Sequence, residues 1–144
     1  MKKLLLGGFL LVAGATAAHA QCDQKVVISS SKTEHLGADS MVTHSENDST
    51  TVEFDKTNLD VTVRGADRNQ HLKGTVKSYS CDWSVPFKEG KTVIKATLAN
   101  EEGETRDLTI TVTGTGGKVG FLAELAGDEI QRIRLVVDRF EAVP

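Results

Sequence analysis

Apolar and polar residues alternate in short runs along most of the chain. Leu108, Ile110 and Val112 are separated by threonines, the period-two pattern of a strand with one buried face. Leu59, Val61 and Val63 repeat it against Asp60, Thr62 and Arg64. Ile94, Ala96 and Leu98 do the same, followed by Val119, Phe121, Ala123 and Leu125, and by Ile133, Leu135 and Val137. The β-branched residues that fill these runs suit a pleated surface better than a helix. Weaker strands are expected over Val26 to Ser31, Thr51 to Asp55 and Leu72 to Trp83. The last of these changes phase: Leu72, Gly74 and Val76 share one parity, and Tyr79, Cys81 and Trp83 the other. A bulge near Lys77 or Ser78 would bring both sets to one face, and without it one set faces outward.

Between the strands stand residues that turn easily: Asp55 to Asn58, Gly65 to Asn69, Asn100 to Gly103, Gly114 to Gly117, and Gly127 with Asp128. Pro86 ends the strand that carries Trp83. About eight strands joined by short turns imply an all-β, antiparallel up-and-down meander. Its edges must be closed or covered. A small barrel is one solution and a two-layer β-sandwich the other. The segment from Thr33 to Ser49 is the least strand-like, reading either as a long hairpin around Gly37 to Asp39 or as a mobile loop.

The N-terminus changes where the protein is expected to work. Lys2 and Lys3 precede an uncharged apolar run from Leu4 to Ala13, and Ala18-His19-Ala20 supplies small residues at both positions a signal peptidase reads. Residues 1–20 are therefore expected to be a signal peptide cut between Ala20 and Gln21, leaving 21–144 as one domain in the periplasm or outside the cell. The run is too short for a spanning helix, which needs about 20 apolar residues. Cys22 and Cys81 both fall in the exported part, and two thiols in an oxidising compartment are expected to form a structural disulfide. The whole chain carries a net charge of −3, and losing Lys2 and Lys3 makes it more negative. That balance excludes the basic footprint that nucleic acid requires.

Candidate chemistry is thin. His35, His44 and His71 have no metal-ligand spacing, although two of them could meet across a hairpin beside a carboxylate. They read as surface histidines. Glu53 with Asp55, Glu101 with Glu102 and Glu104, and Asp128 with Glu129 are acidic pairs placed mostly in turns. Asn47-Asp48-Ser49 lacks the calcium-loop pattern. Gly114 to Gly120 fails as a phosphate loop because Val112 and Val119 stand where glycine and Ser or Thr are required. No catalytic, metal or cofactor-binding residues are assigned, and the chain reads as non-enzymatic. Phe54 and Phe121 take the inward parity of their strands, and Trp83, next to Cys81 in phase, is expected to pack on the disulfide in the core.

The segments Ser49 to Asp55, Leu72 to Val76 and Leu108 to Val112 resemble small exported lipocalin-like proteins of Gram-negative bacteria. The resemblance implies a β-barrel that binds a small apolar molecule or a lipid. A filled β-domain that meets an envelope protein through its loops or edges is the alternative.

Overall fold

The structure, a computed structural model, describes residues 21–144. The expected signal peptide and the Ala20 side of its cleavage point lie outside them. The described chain is all-β and forms one nine-stranded antiparallel sheet. Its strands are β1 (Val26–Leu36), β2 (Val42–Glu46), β3 (Ser49–Phe54), β4 (Asn58–Arg64), β5 (Asn69–Val85), β6 (Glu89–Ala99), β7 (Thr105–Thr115), β8 (Lys118–Leu125) and β9 (Gln131–Ala142). From β3 to β9 each strand pairs with the next, and β9 returns to pair with β1 from Val26↔Ala142 to Leu36↔Arg132. That last ladder closes the sheet, so the architecture is a barrel and not a sandwich. β1 pairs with β3 over Val26 to Ser30 and with β2 over Thr33 to Leu36, so β2 and β3 share one place in the wall.

The segment from Thr33 to Ser49 is a hairpin. β1 runs on to Leu36, and Gly37 N donates to Met41 O at 2.9 Å to close the turn before β2. The phase change in β5 is a bulge: Val76 pairs with Ala96 and Ser78 with Lys95, leaving Lys77 out of register. Beyond it Tyr79, Cys81 and Trp83 join the same core as Leu72 and Val76.

The turns divide the barrel into two ends. At one end lie residues 21–25, the β3–β4, β5–β6 and β7–β8 turns, and the residues after β9. This end is plugged. Trp83, Phe140 and Phe87 form an aromatic chain, with ring centroids 5.5 Å apart for Trp83–Phe140 and 4.8 Å for Phe87–Phe140. Trp83 pairs with Gly90, and Gly90 with Gly114, so two glycines stand beside the indole on the neighbouring strands. The Cys22–Cys81 disulfide forms as expected and ties the residues before β1 to β5. Gln21 is buried there, its side-chain oxygen accepting the Phe87 amide at 2.7 Å.

Candidate functional site

At the other end stand the β1–β2, β4–β5, β6–β7 and β8–β9 turns, and here the barrel is hollow. A cavity of about 480 Å³ opens between them, within the usual range for small-molecule sites. Its wall is the inward face of the alternating strands: Val52, Val61, Val63, Leu72, Leu98, Leu108, Ile110, Phe121, Ala123 and Leu135 all line it. The residues that fill the plugged end (Val26, Ile28, Ile94, Val112) are absent from that lining. One continuous apolar face thus serves as solid core below and as the wall of a cup above.

Toward the rim the inward positions turn polar. Thr33 and His35 on β1, Thr50 on β3, Gln70 on β5, Arg106 on β7 and Gln131 on β9 line the mouth, with Arg68, Asn100 and Glu104 from the turns. Outside β1, whose ladder to β9 shifts register through Ser30 to Lys32, each strand position continues the parity of the apolar wall beneath it, as Arg106 does that of Leu108 and Ile110. Side chains at the end of a barrel strand border water, which removes the penalty for a polar group facing in.

One side of the rim is tied by ion pairs. Asp48, at the break between β2 and β3, is 6 % exposed. Its Oδ1 accepts the Thr33 hydroxyl at 2.6 Å, and its Oδ2 stands 3.5 Å from Arg68 Nη2. Arg68 also meets Glu46 Oε2 at 3.2 Å. His35 and His44 are direct cross-strand partners in the β1–β2 hairpin, with ring centroids 5.5 Å apart, and both rings approach Glu46. The His44 hydrogen bond holds the Glu46 carboxyl below its ordinary range; burial opposes this and Arg68 reinforces it. The other side of the rim is different. Arg106 donates to Ala126 O from Nε and Nη2, at 3.3 and 3.2 Å, and to Gln131 Oε1 from Nη1 at 3.1 Å. Both acceptors are neutral.

Two of the most exposed large apolar side chains, Met41 at 68 % and Ile130 at 66 %, sit on the β1–β2 and β8–β9 turns of this same end. The pairing of Leu36 with Arg132 brings those turns side by side.

A second cleft, of about 820 Å³, interrupts the wall where β8 and β9 diverge. Their ladder stops at Phe121↔Leu135, and consecutive residues of β9 from Arg134 to Phe140 line the gap. Inward and outward positions contribute alike, which marks an unpaired strand edge and not a cavity face.

The histidines divide. His35 and His44 meet across the hairpin, while His71 is on the outside of β5, 2.9 Å from Asp60. Among the described residues no group of three or more His, Cys, Asp or Glu is arranged to hold a metal ion. The acidic turn pairs are not brought together, apart from Glu104, which reaches the mouth. Asp48, Arg68 and Arg106 carry the rim's electrostatics; the sequence offered Asp48 only within a rejected calcium-loop pattern and singled out neither arginine. For Arg106 the signal was present, since it extends the inward parity of β7; for Asp48 and Arg68, both between strands, there was none. Comparison with protein-family models, curated proteins and solved structures found no match to the chain.

Proposed function

We propose that this protein is an exported, non-enzymatic binding module that holds a small apolar molecule, or the tail of a lipid, in the open half of its barrel. The observation that carries the reading is the division of one barrel into a packed end and a hollow one. A barrel of eight wall strands can be filled by its own side chains, and the aromatic plug shows that this sequence has the means to do so. Leaving the other half lined by Val, Leu and Ile is costly unless something occupies it. The exposed Met41 and Ile130 at the mouth suit a ligand that arrives from an apolar surface. The disulfide is compatible with an oxidising compartment, and with the signal-like N-terminus it supports a periplasmic or secreted location.

The test is native mass spectrometry of protein purified from its own host without detergent. A bound small molecule, released on denaturation, is expected. Ala123→Trp, placed to fill the cup, is expected to exclude it while the disulfide and the β-rich circular dichroism persist. Recovery of the bare polypeptide alone, together with no response of cup resonances to added apolar probes, would overturn the reading.

The cleft between β8 and β9 favours a second reading, an envelope interaction domain that receives an extended segment on its free strand edges. A photocrosslinker placed at Val136 would then capture a reproducible protein from the envelope, and unmodified protein after irradiation in cells would count against it.

A further inference from the structure

If the cup holds an apolar body, the rim decides which polar end can accompany it. Two arginines line the mouth. Arg68 is already matched by Glu46 and Asp48. Arg106 is matched by none: its hydrogen bonds go to the Ala126 carbonyl and the Gln131 side-chain amide. It is the one lining arginine among the described residues without an acidic partner. Glu104, the acidic residue of the lining, lies in the turn just before β7, one inward step farther from the wall. Asn100 engages it, with Nδ2 3.4 Å from Glu104 Oε2 and Oδ1 accepting the Glu104 amide at 2.9 Å. Arg106 is therefore the charge next above the apolar wall, directly preceding Leu108 and Ile110 on the inward face of β7.

A guanidinium held by neutral acceptors at the edge of an apolar cavity keeps its charge unbalanced and its orientation fixed. Carbonyl and amide dipoles satisfy its N–H groups, and they also aim the plane of the group. A carboxylate on the end of a buried chain would replace water there with a charge-assisted pair. A neutral head gains much less, and a cationic head would be repelled. Resting on the reading of the cup as a ligand site, we infer that the ligand is an amphiphile with an anionic, carboxylate-type head seated at Arg106 and its tail in the cup.

Matched straight-chain carboxylates and alcohols, from octyl to tetradecyl, are titrated by calorimetry and by chemical-shift mapping into the purified protein with its disulfide intact. At low ionic strength the carboxylate is expected to bind about tenfold tighter than the alcohol of equal length. Arg106→Gln is expected to abolish that difference without changing alcohol affinity, and Arg106→Lys to restore part of it. Equal binding of both heads, or a carboxylate preference unmoved in Arg106→Gln, overturns the head-group assignment while leaving the cup reading in place. No binding of either series, with cup resonances unperturbed, removes the cup reading and this inference with it. If Arg106→Gln fails to fold, the Arg106→Lys variant and the salt dependence of the wild-type preference decide instead: a preference that survives high salt unchanged counts against the pair.

Discussion

The indole Nε1 of Trp83 donates to the hydroxyl of Thr92 at 2.7 Å, with both residues buried at 3 % and 1 % exposure. Thr92 passes its own proton toward Cys81 Sγ, 3.5 Å away. The contact joins the largest core side chain to the disulfide through one hydroxyl. Trp83 thus packs as core, with its single polar atom satisfied.

Replacing Thr92 with valine keeps the shape and removes the acceptor, stranding a buried N–H. Thr92→Val is expected to destabilise the fold by about 1–3 kcal/mol. Thr92→Ser keeps the hydroxyl and loses one methyl, so it should cost about 1 kcal/mol. Urea unfolding followed by Trp83 fluorescence measures both. A valine variant as stable as wild type would mean that the hydroxyl is not the indole's partner.

The disulfide closes a loop of 59 residues in sequence. In the chain-entropy treatment this restricts the unfolded chain by about 4 kcal/mol. The Cys22→Ala, Cys81→Ala double variant should lose about that much stability in chemical denaturation under two-state conditions. Reducing agent should lower the stability of the wild type alone.

Much of this fold was legible because its wall repeats one rule. β4, β6, β7 and β8 read correctly from alternation alone, since their inward positions are apolar almost to the ends. β1 was read only as far as Ser31, for two physical reasons. Its ladder to β9 shifts register through Ser30 to Lys32, so that the inward face passes from Val26, Ile28 and Ser30 to Thr33 and His35. The Ser30 hydroxyl covers this irregularity, donating to Lys32 O at 2.7 Å and accepting Lys32 N at 3.2 Å. Beyond the shift the strand borders the mouth, where inward residues are polar and the pattern disappears. The cup escaped the sequence reading for a related reason. Leu72 and Leu98 lining a void look the same in sequence as Ile94 and Val112 filling a core.

The glycines beside Trp83 can be separated by what a methyl group would strike. A Cβ on Gly114 would lie 2.5 Å from Trp83 Cζ3 and 2.7 Å from Lys88 O, and one on Gly90 2.4 Å from Asp82 O. Backbone cannot step aside as a side chain can. Gly114→Ala and Gly90→Ala should each cost about 1–3 kcal/mol or more through overpacking. Gly120 offers the control: its Cβ would meet only the Thr113 hydroxyl, at 2.9 Å, and that can rotate away. Gly120→Ala is expected to fall well below the other two in thermal denaturation. Equal losses at all three positions would refute the packing argument for the Trp83 row.

The titrating groups set opposite limits on stability. Burial raises the pKa of Asp55, but it is outweighed by the Thr57 and Asn58 amides and the Thr57 hydroxyl, which bond its Oδ1 at 2.9, 2.8 and 3.0 Å and hold it below 3.8. Asp107 is lowered by the Thr97 hydroxyl first and then by Lys77. A carboxyl with a depressed folded pKa stays ionised in the fold while the unfolded chain takes up a proton. Its contribution is therefore present above the unfolded value and is lost as pH falls through it and on to the folded one. Tyr79 runs the other way. Burial raises its phenol above 10.0, with Asp55 and Asp23 adding to the shift, so its contribution is whole below the unfolded value and declines as pH rises past it. Stability measured by urea denaturation should be broadest between these limits and fall on both sides. Asp55→Asn should flatten the acid limb and, by removing one of the charges that raise the Tyr79 phenol, also soften the alkaline limb. Tyr79→Phe should flatten the alkaline limb and leave the acid one as it was. Asp55→Asn also loses charge-assisted bonds to the turn, at about 1 kcal/mol near neutrality, so the comparison rests on the shape of each limb and not on its height. An acid limb that keeps its slope in Asp55→Asn would show that the β3–β4 turn does not carry the proton linkage assigned to it.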